Sequence, residues 1–146
     1  NVERDQTKLM AMLMNGDVMV QAFAKEVVRT GEYSLVFFGS KFSHAVLKTP
    51  RVGDFRTQSG RCKAVILPDA IIAQARLAVR AVRQPVLYAR VDGVLQNGKF
   101  VLMELELIEP CLHLAYDANA ANLFAVAINA ALKLRSQSAL PEYTSV

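Results

Sequence analysis

Val86-Leu87-Tyr88-Ala89-Arg90-Val91-Asp92-Gly93-Val94 and Phe100-Val101-Leu102-Met103-Glu104-Leu105-Glu106-Leu107 are two β-favouring runs joined through Gln96-Asn97-Gly98. The second run alternates apolar and acidic residues, and Asn-Gly is turn chemistry, so the pair reads as an antiparallel hairpin. Its register decides which side chains meet, because a shift of one residue exchanges the faces of a strand. A two-residue Asn97-Gly98 turn places Asp92 beside Met103, on the face opposite Glu104. A three-residue loop with Gly98 in the left-handed region instead joins Leu87, Ala89, Val91 and Leu95 with Val101, Met103, Leu105 and Leu107 as one apolar face. The second register is preferred, and it gathers Tyr88, Arg90, Asp92, Glu104 and Glu106 on the other face.

Like charges so close destabilise a hairpin unless a cation stands among them. A solvated strand face is the plain alternative. Against it, the polar face of the second strand is acidic, with no Lys or Thr between the carboxylates. Three carboxylates in this arrangement suit the all-oxygen coordination of Mg²⁺ holding a phosphate. A glycosidase-like acid/base pair is the rival catalytic reading. It lacks an aromatic sugar platform, and the chain has no Trp.

The 146 residues are one domain by size, residues 1–146, with 53% hydrophobic and 21% charged residues. That is the composition of a globular protein with a real core. No apolar run reaches membrane-spanning length, and Asn1-Val2-Glu3-Arg4-Asp5 is not a signal peptide, so the cytoplasm is the default location with no membrane partner. Cys62 and Cys111 have neither zinc-site spacing nor disulfide-scaffold density. The net charge of +4 is dispersed along the chain, which makes nucleic acid an unlikely partner.

Along the chain, residues 1–15 hold a leading helix read over Gln6 to Met14 and ended by Asn15-Gly16. Residues 16–135 form the core, and 136–146 a loose tail. Asp17 to Phe23 is a strand candidate, Glu32 to Phe38 a stronger one, and Phe42 to Lys48 a third. Arg51 to Lys63 has the Gly and Arg content of a mobile loop. Pro68 to Val82 is an Ala-rich helix with Pro68 near its start, and Asn119 to Arg135 a closing amphipathic helix. The expected class is α+β: a mostly antiparallel sheet with helices packed on one side.

Several blocks together resemble the ATP-grasp ligases of the glutathione synthetase type. They are Gly31-Glu32-Tyr33-Ser34-Leu35-Val36-Phe37-Phe38, Phe42-Ser43-His44-Ala45-Val46-Leu47-Lys48-Thr49-Pro50, Gly53-Asp54-Phe55-Arg56, Ala89-Arg90-Val91-Asp92-Gly93-Val94, and Met103-Glu104-Leu105-Glu106-Leu107-Ile108-Glu109-Pro110. The blocks span about Val18 to Leu112 and cover the carboxy-terminal half of that fold. A subgroup that includes the cyclo-ligase of cycloserine biosynthesis is similar in flavour.

The resemblance implies ATP and Mg²⁺ (or Mn²⁺) as cofactors and small carboxylate and amine substrates. Gln21, Ala22, Phe23 and Ala24 would line adenine, and Glu32 would face the ribose hydroxyls. Lys48 and Arg56 would stabilise transferring phosphate. Asp92, Glu104 and Glu106 fall on the metal positions, with Glu106 where many relatives carry Asn. Glu109 would approach the acceptor amine. His44 reads as strand packing rather than a substrate contact, and His113 has no assigned role. The implied activity is carboxylate–amine ligation through an acyl phosphate. Nothing before Val18 supplies the nucleotide-covering lysines of such relatives, so the chain reads as a ligase fragment, inactive alone. The alternative is a catalytically silent module that keeps the fold and self-associates as a homo-oligomer.

Overall fold

The computed structural model describes residues 2–57 and 60–138. Five strands form one antiparallel sheet: β1 (Glu32–Phe38), β2 (Lys41–Thr49), β3 (Arg61–Val65), β4 (Tyr88–Gln96) and β5 (Lys99–Glu106). Their order across the sheet is β3-β2-β1-β4-β5. Helices α1 (Val2–Leu13), α2 (Glu26–Arg29), α3 (Asp69–Ala81) and α4 (Ala120–Ser138) complete the α+β arrangement, with a 3-10 turn at Leu114–Tyr116.

Strand alternation divides the sheet into two unlike faces. On one, Leu35 and Phe37 of β1 and Ala89 and Val91 of β4 pack against Ile71, Ala75 and Val79 of α3. These α3 positions recur every four residues, which gives the helix its apolar stripe. Pro68 stands at its cap position, where a missing N–H costs nothing. The expectation of helices on one side describes α3. The start of α4 also reaches the end of the opposite face, where Phe124 stacks on Phe38 with ring centroids 5.0 Å apart and meets Tyr88 edge-on.

Three sequence expectations change. Asp17 to Phe23 is not a strand: the segment has no regular structure, and Met19 and Val20 are exposed. Its apolar run looked like a strand, but the sheet's next edge is taken by β3. That strand begins within the stretch expected to be a mobile loop. Arg61, Cys62 and Lys63 read as loop residues because an edge strand needs one bonded neighbour and no buried stripe; β3 pairs only with β2. The tail was expected to loosen from 136, yet α4 continues to Ser138; residues 139–146 lie outside the described residues.

The hairpin keeps its expected acidic face by a different route. Asn97 and Gly98 both have positive φ, 50° and 75°, and Gln96 pairs with Lys99 across a two-residue turn. This is the type I′ geometry favoured by Asn-Gly. A β-bulge then shifts the register between Asp92 and Gly93, so that Asp92 pairs with Glu104 and Arg90 with Glu106. Below the bulge Phe100, not Val101, joins the α3 core. Gly93 permits this crossing. A Cβ there would stand 2.5 Å from both the Val101 carbonyl oxygen and the Phe100 ring.

Candidate metal and nucleotide site

The second face of the sheet carries charge instead of hydrocarbon. Glu32 pairs with Lys48 across β1 and β2, Ser34 with Asp92 across β1 and β4, and Asp92 with Glu104 across β4 and β5. Glu32, Lys48, Asp92, Arg90, Glu104 and Glu106 thus converge from four adjacent strands. The middle of the cluster is deeply enclosed, with Asp92 only 1% exposed.

Two cations organise the carboxylates. Lys48 Nζ lies 2.6 Å from Glu32 Oε1 and 3.0 Å from Asp92 Oδ2. Arg90 clasps Asp92 through Nε, 3.0 Å from Oδ1, and through Nη2, 2.9 Å from Oδ2. Its Nη2 also donates to Glu106 Oε1, and its Nη1 to the Cys111 carbonyl at 3.4 Å. A planar guanidinium suits this fork because its donors are rigidly placed. Thr57 Oγ1 reaches Glu32 Oε2 at 3.4 Å from the loop after β2.

The ionisation states follow from these contacts. Burial pushes Asp92 up, but the hydrogen bonds from Arg90 and the charge of Lys48 outweigh it and hold the carboxyl below its ordinary value. Burial likewise opposes the charge on Lys48 and Arg90, yet Asp92 with Glu32 raises Lys48, and Asp92 with Glu106 raises Arg90. Glu104 is pushed up by burial and by Glu106 and Asp92. It makes none of the bonds just described.

Asp92, Glu104 and Glu106 can each place one oxygen within 4.8 Å of the other two. Four carboxylates face two cations in the cluster, leaving two negative charges uncompensated. Ser34 Oγ is buried beside them, outside strict hydrogen-bond geometry yet near enough to Asp92 to help hold its carboxyl low. All-oxygen donors and a surplus of two negative charges fit a hard divalent ion such as Mg²⁺ or Mn²⁺.

Other sequence candidates lie outside this bond network. Arg56 is exposed and pairs with Asp54 at 3.2 Å, whose Oδ1 also accepts from the Phe55 and Arg56 backbone N–H groups. Glu109 is exposed in the loop after β5, at φ 52°. Gln21, Ala22 and Phe23 are exposed and Ala24 half-buried; Phe23 meets Phe55 edge-on at 6.1 Å, joining this segment to the arginine loop. His44 is buried and bonded to the His113 carbonyl at 3.1 Å, the packing role expected of it. Sequence reasoning placed Arg90 on the acidic face without giving it a task. The signal was its spacing, two residues before Asp92 on one strand. The carbonyls of Cys111 and His113, which close the loop over this face, leave no side-chain signal at all.

This fold has solved counterparts. The cycloserine biosynthesis protein DcsG of Streptomyces lavendulae is 31% identical over 135 residues, covering 84% of this chain and 45% of that protein. The crystal structure of the D-cycloserine synthetase DcsG superposes with a TM-score of 0.63 at 29% identity, over 77% of this chain and 41% of that one. The chain is ATP-grasp-like. It matches the carboxy-terminal part of that fold, as the sequence blocks implied. At 17% identity, the D-alanine–D-alanine ligase of Bacillus anthracis complexed with ATP supports the ATP-grasp fold alone, with a TM-score of 0.61 over 94% of this chain and 49% of that one. No family model matches the sequence. The ATP-grasp-like chain spans less than half the length of these relatives. No helix among its described residues is long and apolar enough to cross a membrane.

Proposed function

We propose that this chain supplies the metal- and phosphate-binding wall of an ATP-dependent carboxylate–amine ligase. The observation that carries the reading is the convergence of Asp92, Glu104 and Glu106 around one point beside Lys48 and Arg90. The likeness to proteins named as synthetase and ligase, one of them solved with ATP, supports it. Asp92, Glu104 and Glu106 would hold Mg²⁺, which when bound neutralises phosphate oxygens and orients them for transfer. Lys48, bonded to Glu32 and Asp92, would turn its ammonium to a phosphate. Arg90 fixes the rotamers of Asp92 and Glu106 and keeps positive charge at the floor. Arg56, on the exposed loop, would reach the transferring phosphate, while Glu32 and the Gln21–Ala24 segment would take the nucleoside.

In this reading ATP phosphorylates a substrate carboxylate, and an amine then displaces phosphate from the acyl phosphate, with Glu109 near the amine. Positive side chains at fixed distances lower the barrier because charge builds on the phosphoryl oxygens during both steps. Calorimetric titration of Mg-ATP into the chain tests the assignment. Binding weakened at least about tenfold by Asp92→Asn or Glu106→Gln supports it, and wild-type binding indifferent to both acids overturns it.

A second reading is self-association. A groove of about 500 Å³ between α4 and the β1–β2 turn is lined by Phe38, Phe42, Val86, Leu87, Leu123 and Leu134, and Leu134 is 68% exposed. Sedimentation equilibrium separates the two: a concentration-dependent dimer that Leu134→Lys dissolves favours the module, and a monomer at all concentrations rejects it.

A further inference from the structure

Asp92, the most buried acid of the cluster, has both oxygens engaged, while Glu104 is held by neither cation. Asp92 receives Arg90 on both oxygens and Lys48 on Oδ2, Glu32 Oε1 receives Lys48, and Glu106 Oε1 receives Arg90. A divalent ion arriving alone would compete with Lys48 and Arg90 for Asp92 and would sit beside both cations. Arg90 stands two residues from Asp92 on β4 and Lys48 reaches it from β2, so both charges stay near the site. Like charges a few ångströms apart in a poorly solvated pocket repel strongly. A polyanion reverses the balance, because it offers the displaced cations new partners.

The two cations differ in freedom. Arg90 is planar, buried, and held at once by Asp92, Glu106 and the Cys111 carbonyl. Lys48 is a point charge on a flexible four-carbon stem, with a side chain 13% exposed. Lys48 is therefore the one able to turn away from Asp92.

We infer that Lys48 is a gate on the metal site. Its ammonium occupies the Asp92 and Glu32 oxygens and excludes free divalent ions, and it releases them only to a phosphate-bearing ligand, so that metal and phosphate ligand bind interdependently. This rests on the metal assignment made above. Linkage makes the coupling reciprocal: whatever factor the phosphate ligand adds to metal affinity, the metal adds to ligand affinity.

The test uses the full chain and Mn²⁺ alone, with the unbound ion counted by its electron paramagnetic resonance signal. Lys48→Gln, checked for folding by circular dichroism, should bind Mn²⁺ at least about tenfold tighter than wild type, since it removes one repelling charge. Lys48→Arg keeps the charge and should stay near wild type. Mn²⁺ binding in Lys48→Gln no tighter than wild type, or a Lys48→Arg gain equal to that of Lys48→Gln, overturns the gate. The metal assignment is judged separately by adding Glu106→Gln to Lys48→Gln. Loss of the gained affinity keeps the ion among these acids; its survival places the ion elsewhere and overturns both. Wild type gives a measurement free of folding effects: a non-hydrolysable ATP analogue should bind at least about tenfold tighter with Mn²⁺ than with chelator, and equal affinities overturn the interdependence.

Discussion

The two faces of one sheet are built on opposite principles. Towards α3, Leu35, Phe37, Ala89 and Val91 are buried among hydrocarbon and need only size and shape from their neighbours. On the reverse, Arg90 and Asp92 are buried too, yet each depends on particular partners. Apolar burial is non-directional and additive over area, whereas a buried charge is tolerable only while its counter-charge remains. The charged face is thus the expensive one to keep, and it is where a ligand can be recognised.

Breaking either face should be costly, but in distinguishable ways. Phe37→Ala should lose about 3–5 kcal/mol in urea unfolding, with little dependence on pH. Arg90→Met, which leaves buried Asp92 to Lys48 and takes the cation from Glu106, should lose a similar ~3–5 kcal/mol at pH 7. Its deficit should shrink in acid as Asp92 becomes neutral. If the two losses keep the same pH dependence, the contrast between the faces fails.

At the crossing between the faces, Gly93→Ala should cost about 1–3 kcal/mol by forcing the Val101 carbonyl and Phe100 ring away. Thermal melts would register it, and a neutral result would mean that the bulge at Asp92 and Gly93 is not needed for packing.

For acid titration, the folded Asp92 is held below its ordinary value of 3.8, so the native state binds its proton less readily than the unfolded chain. Its stabilisation is complete above that value and is lost as pH falls below 3.8 through the folded value. Asp92→Asn should flatten this part of the acid limb.

The smallest effect has the opposite sign. Glu104 is raised above 4.5, so its charge opposes folding at neutral pH and this penalty fades as pH falls through the folded value towards 4.5. Glu104→Gln should gain at most about 0.5 kcal/mol at pH 7, because solvent screens this exposed carboxylate, while weakening divalent-ion binding. A loss of stability would show that Glu104 is not a cost carried for the site.

Legibility in the sequence followed how local each signal was. β1 and the hairpin strands were readable because β-branched and aromatic residues alternate over short runs, and α3 because its apolar residues recur at helical spacing. β3 was not, since an edge strand of Arg61, Cys62 and Lys63 carries no buried stripe. Asp17 to Phe23 misled for the complementary reason: an apolar run looks like a strand whether or not any neighbour offers it hydrogen bonds. Asp92, Glu104 and Glu106 were identifiable as candidates from their types and faces, and Lys48 from the family resemblance. That Arg90 binds Asp92 and Glu106, and that Arg56 instead pairs with Asp54, depends on side-chain directions that spacing does not encode.

By itself the sequence determined the α+β class, the acidic face of the hairpin and the blocks that make the chain ATP-grasp-like, because periodicity and turn chemistry are written in neighbouring residues. Only the tertiary structure decided that a bulge at Gly93, rather than a longer turn, brings Asp92 opposite Glu104. It alone placed Lys48, 44 positions away, on the Asp92 carboxylate. Those outcomes rest on which strands become neighbours in the sheet, a global choice made by the packing of the whole chain.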